Sequence, residues 1–370
     1  MSNDDLKYRI AFASIRGMGV DLARQLLEVT SSERDFFAMS EKELRHLTQG
    51  RSKVYTDFYR RQQLERAERE LSFIEEHHID TTYFTDPTFP RRLLEASDAP
   101  CMIYSRGTCD LNSKHIISVV GTRHATQYGV SFCDTLMRDL ASALPGTVVV
   151  SGLAYGIDIA AHRACLKHGL PTVAVMARGL NAIYPSLHRN DAVAIVRHGG
   201  TVLTDYLSSD EVHRGNFLAR NRIIAALSDV TLIVESADHG GSLVTASLAQ
   251  SYNREVMAVP GRASDEFSRG CNRIIRTNLA MSISSADELI EAMSWDEGRT
   301  SQQARQMEVF PQLTDEEQAI VDVLKREGDV HINTLASMLE LPVYRLMSTL
   351  VELDCRGVIL TLPGCRYCMK

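Results

Sequence analysis

The sequence predicts an α/β fold: a doubly wound parallel sheet, preceded by a small helical domain and followed by a winged-helix domain. Three observations carry that expectation. From about residue 80 to 293, short apolar runs alternate with helix-sized stretches. Those runs are continuously apolar rather than alternating, the pattern of strands buried on both faces. Both flanks change character, to short helices before the runs and, after a polar stretch, to three amphipathic pieces and a hairpin. A chain of 370 residues, 44% hydrophobic and 24% charged, has room for two or three domains and a sizeable core.

Residues 1–75 begin with an apolar-periodic stretch, then Gly17-Met18-Gly19, then VDLARQLLEV. A glycine-bracketed turn between two short helices resembles a helix-hairpin-helix, whose turn amides can contact a DNA backbone; a tight turn in a helical domain fits the same residues. Residues 76–293 hold the strand candidates HIISVV (115–120), TVVVS (147–151), TVAVMA (172–177), TVLTD (201–205), VTLIVE (230–235) and EVMAVP (255–260). Helical crossovers between buried strands lead to a doubly wound sheet. Residues 294–309, SWDEGRTSQQARQMEV, are polar, lack an apolar stripe and read as a linker. Residues 310–370 supply LTDEEQAIVDVLKREG, HINTLASMLELP, VYRLMSTLVELDCRG and the hairpin VILTLPGCRYCM, three helices and a two-stranded wing.

No apolar run reaches the ~20 residues of a membrane span, and MSNDDLKYRI lacks the basic start and apolar stretch of a signal peptide, so the cytoplasm is expected. Six of the eight cysteines sit singly, and no disulfide framework is expected. Cys365 and Cys368 have metal-like spacing, but no second pair accompanies them and no zinc site is expected. A net charge of −7 excludes a surface coated in basic residues for bulk nucleic-acid condensation. Positive charge must then be concentrated, as in HRGNFLARNR, with three arginines and no acid.

In open α/β sheets ligands bind beyond the carboxyl ends of the strands. Three such ends are specialised. Gly121-Thr122-Arg123 follows HIISVV, where glycine admits a phosphate, Thr122 offers a hydroxyl and Arg123 a guanidinium fork. Ser151, Gly152 and Gly156 open SGLAYGIDIAAH, but the spacing is not G-x-G-x-x-G and NAD is discounted. Gly240, Gly241, Ser242 and Thr245 resemble a phosphate cradle without the lysine of a Walker A loop, so ATP hydrolysis is unsupported and no cofactor is expected. Asp158 and His162, four apart, fit a structural helix pair better than an acid-base pair. The string NFLARNRIIAALSDVTLIVES places Arg220, Asn221 and Arg222 at the start of a helix, where anions are favoured. Arg214 and Phe217 add a cation and a ring just upstream, a combination suited to single-stranded nucleic acid.

Several strings together resemble the DNA-processing protein A family (DprA, also called Smf): DPTFPRRLLEASDAPCMIYSRG, VVGTRHATQYG, SGLAYGIDIAAH, GLNAIYP, NFLARNRIIAALSD, GGSLVTASLA and AVPGRASDEFSRGCNRII. Their order and spacing cover nearly the whole α/β region. The resemblance implies an extended Rossmann-like domain that binds single-stranded DNA, forms a homodimer and helps to load RecA recombinase onto incoming strands in natural transformation, without catalysis. It implies further that Arg123 corresponds to the arginine of a Gly-Ser/Thr-Arg motif. Arg214 falls where the family uses a basic residue, and Phe217, Arg220, Asn221 and Arg222 match Phe-Pro-x-Arg-Asn-Arg, with Leu218 in place of the proline. The expected DNA-binding set is Gly121, Thr122, Arg123, Ser151, Gly152, Arg214, Phe217, Arg220, Asn221, Arg222, Gly241 and Ser242.

If Arg123, Arg214, Arg220 and Arg222 each meet a phosphate, affinity should fall with salt at a log-log slope of about −3. Two alternatives stay open. One is a Rossmann-like nucleotide or phosphoribosyl hydrolase with Glu235 as its acid, against which the PGGxGT-type loop is missing. The other is a winged-helix regulator of duplex DNA, against which VYRLMSTLVELD carries Arg345 as its only basic residue and two acids.

Overall fold

The structure, a computed structural model, describes residues 3–48, 55–296 and 313–370. The expected linker at 294–309 lies outside these from residue 297 onward. The chain divides into two compact units, Met1–Tyr252 with Val256–Ser282, and Asn253–Glu255 with Ile283–Lys370.

The first unit opens with helices α1 (Asn3–Ala13), α2 (Val20–Thr30), α3 (Glu33–Ala38), α4 (Glu41–Thr48) and α5 (Asp57–His77). Gly17 turns the chain between α1 and α2 at φ +82°, a conformation that side chains with a Cβ rarely adopt. Phe12 and Phe36 meet edge to face at 5.1 Å beneath these helices, and buried Arg60 donates to the Phe36 and Phe37 carbonyls that end α3. Residues of α1, α2 and α5 share one apolar core with the sheet that follows. Polar ties accompany it: Arg9 pairs with Asp86 at 3.1 Å, and Ser208 donates twice to Glu70, whose carboxyl burial pushes above its usual range.

The sheet and its helices follow in the order β1 (Asp80–Tyr83), α6 (Arg91–Leu94), β2 (Met102–Gly107), β3 (Ile116–Val120), α7 (Gln127–Ala143), β4 (Val148–Ser151), α8 (Ile157–His168), β5 (Thr172–Val175), α9 (Arg189–Arg197), β6 (Thr201–Thr204), α10 (Arg214–Ala226), β7 (Val230–Ile233), α11 (Gly241–Ser251), β8 (Glu255–Ala258), α12 (Arg269–Arg276) and β9 (Met281–Ser282). The strands lie in the order β1-β2-β6-β5-β4-β3-β7-β8-β9. Strands β3 to β7 pair in parallel, with Ile117 beside Val149 on one side and Val230 on the other, whereas β1 and β2 run antiparallel at the edge. Every residue of β3, β4, β5, β6 and β7 is buried, which is why the sequence shows unbroken apolar runs there. Arg92 grips Asp229 through both carboxylate oxygens, at 2.6 and 3.0 Å, and so ties α6 to the foot of β7. The chain leaves β3 toward β4, β5 and β6, then returns to β7 on the opposite side of β3. That reversal opens a crevice at the carboxyl ends of β3 and β7.

The second unit holds α13 (Ala286–Ala292), α14 (Asp315–Glu327), β10 (Val330–His331), α15 (Ile332–Leu339), α16 (Val343–Cys355), β11 (Ile359–Leu362) and β12 (Arg366–Met369). A capping box between Thr314 and Glu317 starts α14. Ile320, Leu335, Leu346, Leu350 and Ile359 form the core of this winged helix, and β12 pairs antiparallel with both β10 and β11.

Candidate nucleic-acid interface

The crevice is a cleft of about 240 Å³ at the ends of β3 and β7. One wall is the turn after β3, Gly121-Thr122-Arg123; the opposite wall is α10, through Phe217, Leu218, Arg220 and Asn221; the floor is the start of α11, Gly240, Gly241, Ser242 and Thr245. A smaller space of about 20 Å³, room for a single water, adjoins it between Arg123, Gly152, Tyr155, Arg178, Tyr184 and Phe217. No base enters so small a space, so a base stacked on Phe217 or Tyr184 would lie outside it. The exposed guanidinium of Arg123 stands over the Phe217 ring at 5.6 Å, and Tyr184 meets Phe217 at 5.3 Å. A cation and two rings thus share one edge of the cleft, the arrangement that accepts a phosphate beside a stacked base.

The floor carries the N-terminus of a helix, the end whose partial positive charge favours anions. Gly240 caps α11 without a side-chain hydrogen bond, and a Cβ on Gly241 would meet nothing within 4 Å. Leu243 N donates back to Gly240 O at 3.1 Å, which leaves the Gly241 and Ser242 amides ahead of it at the positive end of the helix. Thr245 Oγ1 is buried in the same turn and, among the described residues, has no hydrogen-bond partner, whereas Ser242 donates to Ser236 at 2.9 Å.

The structure separates the expected set into residues on the cleft and residues beneath it. Gly121, Thr122, Arg123, Phe217, Asn221, Gly241 and Ser242 line it. Arg220 lines it from below: only 4% exposed, it donates to the carbonyls of Gly152, at 2.7 Å, and Val175. Burial pulls its guanidinium down to about 10, while Asp158 opposes that shift. Gly152 gives this guanidinium room, since a Cβ there would lie 2.5 Å from Arg220 Nη2. Ser151 turns away from the cleft and donates to Val119 O at 2.7 Å. Arg222 also turns away, onto Asp205 and the Asp98 carbonyl. Arg214 is exposed at the N-terminus of α10, outside the lining residues. The expectation that Arg220, Asn221 and Arg222 begin the helix is corrected: α10 starts at Arg214. Leu218 has the backbone N–H that proline would lack, so nothing stops the helix from running back a further turn. Residues two apart on a helix point about 200° apart, so Arg220 and Arg222 cannot face one cleft.

Asp158 and His162 of α8 are structural. Asp158 accepts from the amides of Gly152 and Ala154 at 3.2 and 3.4 Å, and burial raises its carboxyl while Arg220 pulls it down. His162 Nδ1 meets Thr172 Oγ1 at 2.8 Å, and burial drives its pKa down to about 3. Glu235 is occupied as well, since Thr126 donates to it through N at 2.9 Å and Oγ1 at 2.5 Å.

With the cleft in view, the comparisons with known proteins are decisive. The model of the DNA recombination-mediator protein A family matches residues 80–294, more than half of the chain. The chain belongs to the DNA recombination-mediator protein A (DprA/Smf) family. The DprA winged helix domain matches residues 305–365. Protein Smf of Escherichia coli K12 is 31% identical over 282 residues, covering 75% of this chain and 74% of that one. The crystal structure of DprA from Streptococcus pneumoniae superposes with a TM-score of 0.64 at 26% identity, over 79% of this chain and 98% of that one. A Helicobacter pylori DprA structure, solved to describe its single-stranded DNA binding mode, superposes with a TM-score of 0.52 at 30% identity, over 59% of this chain and 98% of that one.

Within this DprA/Smf chain, sequence reasoning missed Tyr155, Arg178 and Tyr184. Tyr184 was legible in principle, because GLNAIYP follows the carboxyl end of β5. His188, which carries no diagnostic spacing, holds the β4–α8 loop in place by its contact with Leu153 O at 2.8 Å.

Proposed function

We propose that this cleft binds single-stranded DNA without regard to sequence, and that the protein, as a homodimer in the cytoplasm, delivers the strand to RecA recombinase in natural transformation. The observation that carries the reading is the Arg123, Phe217 and Tyr184 cluster at the mouth of the crevice. The open start of α11 supports it, as does the described binding mode of the H. pylori relative. The reading is non-enzymatic: Glu235 and Asp158, the acids a hydrolase would draw on, are both spent on protein donors. Duplex recognition by the winged helix is disfavoured, because α16 exposes Tyr344, Met347 and Val351 while Arg345 is paired with Glu316 at 3.1 Å. The proposal keeps a four-part organisation, with 1–75 helical, 76–293 for DNA, 294–309 as linker and 310–370 winged.

Fluorescence anisotropy with single-stranded and duplex oligonucleotides of unrelated sequence tests the proposal. Single strands should bind more tightly, and Arg123→Ala should weaken them by at least about tenfold. Because Arg220 and Arg222 are engaged within the protein, the four-arginine slope is too steep; Arg123, Arg178 and Arg214 give a log-log salt slope of about −2 per site. Duplex preference, or a slope near zero, overturns the reading. Strand loading by RecA with and without the protein tests the second step, and sedimentation tests the dimer.

A further inference from the structure

Another cavity of the first unit is larger than the cleft. It lies beside α9, holds about 700 Å³, and is lined by His77, by Arg106 of β2, by Arg189, Val193 and Arg197 of α9, and by the loop 180–186. We propose that it docks an acidic peptide segment of a partner protein, with an aliphatic anchor between two acids.

The charge comes first. Arg106, Arg189 and Arg197 are all exposed, and among the described residues none of them is paired with a carboxylate and no acid lines the cavity. Asp191, on the same helix, is held by Arg163 at 2.8 Å and does not neutralise them. On a chain with a net charge of −7, such a local surplus is a feature that attracts anions. The apolar part comes second. Ile79, Leu180, Ile183 and Val196 form the floor, and Val193 stands 41% exposed midway between Arg189 and Arg197. Arg189, Val193 and Arg197 recur every four residues on one face of α9, so the outer two are separated by about 12 Å. An extended peptide covers that span in about four residues, which places one acid on each arginine and a leucine-sized side chain on Val193. A single small carboxylate cannot reach both.

Nucleic acid fits this cavity less well. A strand without sequence readout relies on stacking rings, and among the described residues no Phe, Tyr or Trp lines this cavity. The loop 180–186 divides the two chemistries: Tyr184 and Pro185 line the small space adjoining the cleft, whereas Ile183 and Ser186 line the cavity. A peptide docked here would sit alongside a strand held in the cleft, although the docking does not depend on that strand.

The test uses the full-length protein and a fluorescein-labelled peptide, Ser-Asp-Ser-Leu-Ser-Asp-Ser, whose acids lie four positions apart. The peptide should bind, and replacing its acids by asparagine or its leucine by serine should weaken binding by at least about tenfold. The double variant Arg189→Glu with Arg197→Glu, and separately Val193→Asp, should abolish peptide binding while oligothymidine binding stays within about twofold and the far-UV circular dichroism melt is unchanged. Failure of the peptide to bind, or binding indifferent to these substitutions, overturns the proposal. Loss of oligothymidine binding in the arginine variant also overturns it, by showing the cavity to be a continuation of the strand path.

Discussion

Arg220 and Arg123 lie on the same cleft, yet Arg220 is 4% exposed and donates to two backbone carbonyls, whereas Arg123 is exposed and holds its guanidinium over a phenyl ring. One arginine has its donors satisfied by the protein and supplies a fixed positive field from below. The other has donors to spare and can reach a phosphate directly. Residue type and motif position therefore do not distinguish a ligand contact from a support; burial and existing partners do. The comparison breaks most visibly if the two are truncated in turn. Arg220→Ala leaves the Gly152 and Val175 carbonyls and the buried Asp158 without their cation, and should cost about 3–5 kcal/mol in urea unfolding. Arg123→Ala should change stability by less than about 0.5 kcal/mol, while losing strand binding. Equal destabilisation by the two variants would erase the distinction.

The same layer beneath the cleft should show itself in the pH dependence of stability. His162 titrates near 3 when folded, against 6.5 for the ordinary side chain, because it is buried. Between those values the unfolded chain binds a proton that the folded chain refuses. Stability conferred by neutral His162 is thus complete above about pH 6.5 and is lost as pH falls toward about 3, at no more than about 1.4 kcal/mol per pH unit. His162→Gln should flatten that slope relative to the parent chain in urea titrations at several pH values. Arg123→Ala should leave the slope unchanged, since its side chain lies on the rim.

Much of the fold was legible because buried strands announce themselves: the runs that became β3 to β8 are those read as apolar. β1 and β2 were not, because DTTY is polar and partly exposed at a sheet edge, and MIYSRG ends in an exposed arginine and a glycine. In the site, Arg123, Phe217 and Gly241 could be found from strand ends and from the resemblance. The roles of Arg220 and Arg222 are not legible from a helix that begins at them. Once the helix extends back to Arg214, their spacing alone sends them apart, Arg220 under Gly152 and Arg222 to Asp205. Ser151 was misplaced for a related reason, since the last residue of a buried strand has the sheet rather than the cleft within reach of its hydroxyl.

The finest version of the comparison needs only one methyl group. Gly152 and Gly241 both belong to the expected DNA-binding set, but a Cβ at 152 would lie 2.5 Å from Arg220 Nη2, whereas a Cβ at 241 would meet nothing within 4 Å. Gly152→Ala must displace the buried guanidinium or the loop after β4, and overpacking of that kind costs about 1–3 kcal/mol. Gly241→Ala adds a helix-favouring residue in the first turn of α11 and should raise stability by about 0.4–1 kcal/mol, mainly by restricting the unfolded chain. Its methyl group extends into the open cleft in front of the α11 amides, where an incoming phosphate would need to approach. Oligothymidine affinity should therefore fall by a few fold in Gly241→Ala even as the melting temperature rises. A Gly241→Ala variant that binds as tightly as the parent would move the phosphate path away from α11 and leave the rim of Arg123, Phe217 and Tyr184 to hold the strand alone.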